Sequence, residues 1–229
     1  MKQLPLCPNR RETAWGIRYL LFELLVLPTA LSYINLFLGD ALNESWLNFL
    51  FYCLNLTAAL MIFHRFLLVS FRNAVGRLGS VLGNAAAFLI VYLVLSSCLG
   101  ILIYRFFPDF VNINDSTIAA MATDSFPVWL LATVVLVPPA EELLFRGALF
   151  GGFLQRSRIA AYVLSVVGFC LLHVFGYVGH YSWDILLLCA LQYIPAGLCL
   201  AWAYRASGSI FSPMIMHSII NAIGIFAMR

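Results

Sequence analysis

The sequence predicts an all-α, polytopic membrane bundle of about seven helices around a polar intramembrane cavity, and three observations predict it. Apolar residues make up 63% of the 229 positions and charged residues only 10%, far from the mix of a soluble domain. Apolar runs of roughly 18 or more residues recur, each long enough to cross about 30 Å of hydrocarbon as a helix. The runs are continuous and do not alternate apolar with polar, so a backbone that must satisfy its own hydrogen bonds in lipid is helical here, not a barrel of strands.

The spans cover roughly 16–39, 46–70, 83–106, 127–154, 158–176, 184–205 and 209–227, with short connections and thus one domain over 1–229. Before the first, MKQLPLCPNRRETAWGIRYL is basic and polar for too long to be a secretory leader, so the run reads as an uncleaved signal anchor. After the second, Phe71, Val75 and Leu78 oppose Arg72 and Arg77, a pattern of a short interfacial helix over 71–80. Pro138-Pro139 in the fourth span, Pro195 in the sixth and Pro213 in the seventh each remove a backbone donor and predict a bend or an opening.

Lysine and arginine in the short loops set the orientation. Lys2, Arg10, Arg11 and Arg18 precede or open the first span. Arg65, Arg72 and Arg77 follow the second, Arg156 and Arg158 divide the fourth from the fifth, and Arg205 closes the sixth. The alternate loops carry Asp40, Glu44, Asp109, Asp115, Asp124 and Asp184, with Arg105 the one base near them. A multi-pass protein of the cell membrane with a cytoplasmic N-terminus follows. The formal charge of +3 is too small to point to nucleic acid, and six scattered cysteines without CxxC spacing point to neither a disulfide framework nor a zinc knuckle.

Charges within spans cost at least about 2.5–3.5 kcal/mol each near the bilayer centre, so those present need a reason. In PPAEELLFRGALF, Glu142 and Arg146 are four residues apart and can pair on one face. Glu141 points about 100° from Glu142 and about 140° from Arg146, without an intrahelical partner. An unpartnered carboxylate in apolar surroundings is a candidate general base. Phe169 and His173 share a face of the fifth span, and His217 and Asn221 share a face of the seventh. Counting about 1.5 Å per residue from the cytoplasmic ends, Glu141 and His173 lie about 22 Å deep, Asn221 about 18 Å and His217 about 12 Å. One band of the membrane can hold all four. Pro138-Pro139 would open the helix just before Glu141 and place it at a positive helix start. His64 and His180 read as headgroup-facing and solvated, and Gln192 and Tyr193 as either cavity-lining or helix-bonding.

These segments, Glu141-Glu142-Leu-Leu-Phe-Arg146, Phe169-Cys-Leu-Leu-His173 and His217-Ser-Ile-Ile-Asn221, resemble the CAAX-protease and bacteriocin-processing (CPBP, or ABI) family of glutamic intramembrane proteases. The resemblance covers about 127–227, and the compact chain looks like a bacterial member. It implies an intramembrane endopeptidase in which Glu141, assisted by His173, activates a water. His217 and Asn221 hold the oxyanion, while Glu142, Arg146 and Phe169 support. It implies a peptide or protein substrate, lipidated or not, and neither cofactor nor metal. Two other classes stand beside it: a zinc-dependent membrane protease with Glu141, His173 and His217 as ligands, and a non-catalytic scaffold, immunity or transport protein.

Overall fold

The computed structural model describes residues 5–227, apart from the side chains of 122–124; Lys2 lies outside the described residues, as does the Asp124 side chain. Every regular element described is a helix. They are α1 (Arg10–Leu25), α2 (Leu27–Phe37), α3 (Glu44–Ile62), α4 (His64–Val75), α5 (Leu78–Phe106), α6 (Ile113–Asp124), α7 (Phe126–Leu154), α8 (Arg158–Phe175), α9 (Trp183–Ser207) and α10 (Phe211–Ala227).

The chain is an all-α polytopic bundle, with fewer uninterrupted spans than the apolar runs predict. Among the described residues five helices, α3, α5, α7, α8 and α9, are long and apolar enough to cross a membrane. A sixth arises if α1 and α2, bent by 50° at their junction, count as one. The bend has a cause in Pro28, which cannot donate to the Leu24 carbonyl and whose ring clashes with it. The seventh expected span is α10, an apolar helix of 17 residues.

The second span also breaks earlier than its apolar run suggests. It ends at Ile62, and a new helix begins at His64. Glu12 holds that start from across the bundle: its Oε1 accepts from the Phe66 amide at 2.9 Å while its Oε2 accepts from the Asn9 amide at 3.1 Å. One buried carboxylate thereby closes the capping box of α1 and satisfies an orphan donor of α4. Of the interfacial helix expected over 71–80, only 71–75 is the end of α4, which buries Phe66, Ser70 and Ala74 and exposes Arg65, Phe71, Arg72 and Val75; Gly76 and Arg77 form a turn, and Leu78 opens α5.

α7 is the central helix: half of its most apolar window is buried, against 6% for α5. α8 and α9 pack along each other, α9 lies on α5, and α10 closes against α5, α9 and α7. Gly197 lets α8 and α9 approach, since a Cβ there would meet Val166 Cγ1 at 3.0 Å. α5 presents Ile90, Val94 and Ile101 outward, as a lipid-facing helix should.

Candidate active site

α7 does not open at its prolines. It runs through Pro138 and Pro139 and accommodates them by widening to π-helical turns at Ala132–Leu136; a second π-helical stretch follows at Leu143–Gly151. The expected helix start before Glu141 is therefore absent, and Glu141 sits inside a continuous helix. The physical reason lies one turn earlier. The Val137 amide donates to Ala132, five residues back, and Pro138 has no amide to give, so the Thr133 carbonyl loses both possible helical donors. Asn221 Nδ2 from α10 supplies the missing bond at 2.8 Å. The proline pair thus docks α10 onto α7 and holds Asn221 by one of its two amide hydrogens.

The pairing predicted by helical angle is present. Arg146 Nη1 donates to Glu142 Oε1 at 2.9 Å, with both side chains fully buried. Arg146 Nη2 donates to the Gly197 carbonyl of α9 at 3.1 Å, and the guanidinium lies 4.5 Å from the Phe169 ring centroid. Glu142 does more than pair within its helix: its Oε1 also receives His217 Nδ1 at 2.8 Å. That contact turns His217 Nε2 toward Glu141, whose Oε2 is 3.9 Å away. The gap is too long for a direct hydrogen bond and of the size a bridging water spans. Glu141 Oε2 has no hydrogen-bond partner.

His173 is held differently. Its Nδ1 meets the Phe169 carbonyl at 2.8 Å. A carbonyl only accepts, so Nδ1 carries the hydrogen, and in the neutral ring Nε2 keeps its lone pair. Among the described residues no ion pair joins His173 to Glu141, so these two meet across the cavity and not by contact. Phe169 packs against both histidines, edge-on to Phe145 at 5.6 Å, 4.6 Å from the His173 ring and 5.6 Å from that of His217.

A cavity of about 500 Å³ receives these groups: Glu141, His173, His217 and Asn221 all line it. It also brings in residues that the sequence reading passed over or left open. Tyr193 stacks on His173 at 4.0 Å, donates to Asp115 Oδ1 at 3.1 Å and accepts from Asn114 Nδ2 at 3.0 Å. Gln192 accepts from Asn112 at 2.7 Å. From the other side Glu23 of α1 lines the cavity, with Oε1 accepting from Asn55 Nδ2 at 2.9 Å, and Asn55 Oδ1 accepting from Tyr19 at 2.5 Å. The rule that singled out Glu141 applies equally to Glu23, a charge within YLLFELLVL. His64 and His180 are exposed and do not reach the site. Among the described residues no three His, Cys, Asp or Glu side chains are grouped to hold a metal ion.

The comparisons with known proteins fall on the same part of the chain. Residues 123–223 match the Rce1-like family, described as type II CAAX prenyl endopeptidase Rce1-like. That interval holds all three motifs in order. Over that interval the chain is similar to the family that its three motifs resemble. Within the matched interval lie Glu141, Glu142, Arg146, Phe169, His173, His217 and Asn221, and also Tyr193; Glu23, Asn55 and Asp115 lie outside it. A curated relative is the UPF0177 protein YxdF of Lactococcus lactis, 30% identical over 90 residues. The alignment covers 39% of this chain and 44% of that relative, so the chain spans under half the length of the relative it matches. No solved structure matches.

Proposed function

We propose that the chain is a glutamic intramembrane endopeptidase that hydrolyses a peptide bond near the membrane-associated end of a peptide or protein substrate. The observation that carries the reading is the unpartnered Glu141 Oε2, facing the cavity 3.9 Å from His217 Nε2. In this reading Glu141 takes a proton from a water whose oxygen attacks the scissile carbonyl carbon. The Nε2 lone pair of His173 helps hold that water. The electron pair of the carbonyl moves onto its oxygen, which receives hydrogen bonds from His217 Nε2 and from the Asn221 amide hydrogen not spent on Thr133. Donation by His217 requires a proton on both ring nitrogens, since Nδ1 is committed to Glu142. The carbon–nitrogen bond then breaks, and the Glu141 carboxyl returns the proton to the leaving amine. Glu142, Arg146 and Phe169 position His217 and close the site beneath it.

Zinc chemistry through Glu141, His173 and His217 has less support, because those three do not form a ligand group. The reading places the protein in the cell membrane with its N-terminus in the cytoplasm, and it does not require a prenylated substrate. The test compares the peptides released by cells carrying wild type or Glu141→Gln at equal abundance. Peptides with a new terminus only in the wild type are expected; identical profiles would overturn the reading.

A further inference from the structure

Among the described residues the carboxyl groups that line the cavity are Glu23, Asp115 and Glu141, the only bases beside them are His173 and His217, and no lysine or arginine lines it. Glu23 is the one without an evident task. It is 4% exposed on α1, and its link to Asn55 and Tyr19 uses Oε1 alone. A glutamine would make that link equally well, so helix pinning does not account for a carboxylate. The second oxygen, Oε2, is buried with no hydrogen-bond partner. An anionic oxygen out of water without a donor is costly unless something brings one. Asp115, on α6, is held at the same cavity by Tyr193, which itself stacks on His173.

We infer that Glu23, held by Asn55 and Tyr19, is an anionic subsite of this cavity that receives a cationic side chain, lysine or arginine, of the substrate, with Asp115 adding negative charge from elsewhere on the cavity wall. The inference rests on the reading of the cavity as a peptide site and adds a substrate class to it. A lysine stem is apolar along its length and charged at its tip, which suits an apolar-walled cavity with acids set into it. A substrate carboxylate beside Glu23 would be repelled, and no lysine or arginine lines the cavity to receive it. Glu23, Asn55 and Asp115 all precede the family-matched interval, so selectivity and chemistry come from different parts of the chain.

The experiment captures a mixed-sequence soluble peptide library on full-length protein in zwitterionic nanodiscs, with empty nanodiscs as the control. Glu141→Gln is the capturing protein, so that bound peptides are not consumed. Lysine or arginine is expected at one fixed position with at least about tenfold enrichment over uncharged residues, falling to near parity with Glu23→Gln added. Asp115→Asn, which leaves α1 untouched, is expected to weaken the same enrichment and serves if Glu23→Gln does not assemble. No cationic enrichment, or enrichment that neither substitution alters, overturns the subsite. Wild type in the same nanodiscs reports separately on chemistry: cationic enrichment with no library peptide cleaved upholds the subsite and counts against the protease reading alone.

Discussion

Glu141 and Glu142 are adjacent in sequence and opposite in circumstance. Glu142 is neutralised by Arg146 and bonded to His217, whereas Glu141 Oε2 has no partner. That division was legible from the 100° step between neighbouring helical residues. The link from Glu142 to His217 was not, because a contact between side chains 75 positions apart depends on how α10 lies against α7. Asp115 shows a titration at the same scale. Burial raises its carboxyl above the ordinary value, against the hydrogen bonds from Tyr193 and Asn114. The folded state then holds the Asp115 proton more tightly than the unfolded chain. Its contribution to stability is present at low pH and lost as pH rises from the ordinary aspartate value, about 3.9, through the raised one. Asp115→Asn, which cannot ionise, removes that loss. Thermal unfolding in detergent should therefore show the variant gaining on wild type as pH rises above about 4. A constant difference as pH rises would contradict the assignment.

Among the elements, α7 departs most from its sequence reading. Pro138-Pro139 read as an opening, because a proline's local effect is the loss of a donor. Where the helix spends that loss depends on its neighbours, and here π turns and Asn221 take it up without a break. The account makes a coupling prediction. Asn221→Ala strands the Thr133 carbonyl and should cost about 1–3 kcal/mol of stability. Pro138→Ala returns a backbone donor to that turn, so Asn221→Ala should cost less in its background, by about 0.5 kcal/mol or more. Unfolding measurements on the two single variants and the double variant check this; strict additivity would contradict it. The α1–α2 bend and the α3–α4 break show the same limit. Pro28 was readable in the sequence, but the cap that Glu12 gives α4 spans 54 positions and leaves no local pattern.

At the scale of the whole molecule, composition sufficed for an all-α bundle, and three spaced motifs pointed to the same kind of protein that residues 123–223 match. The rest of the cavity's lining was harder to see. Glu23 stands in an apolar run without a recognisable spacing, and Asn112, Asn114 and Asp115 belong to a segment that reads as a loop but folds as α6. The proposed topology, with the N-terminus in the cytoplasm, rests on the loop charges and gives a labelling prediction. In a cysteine-free background, His180→Cys should react with a membrane-impermeant maleimide in intact cells, and Ser157→Cys only after lysis. The reverse pattern would invert the topology.

The central claim is that Glu141 is the base of a peptide hydrolysis within this cavity. The most direct measurement takes a peptide cleaved by the wild-type protein in liposomes and follows its single-turnover cleavage by Glu141→Gln, with matched unfolding temperatures as proof of an intact fold. The account predicts a loss of at least about 100-fold, the scale of a lost general base. A folded Glu141→Gln protein that cleaves the peptide at the wild-type rate would contradict it.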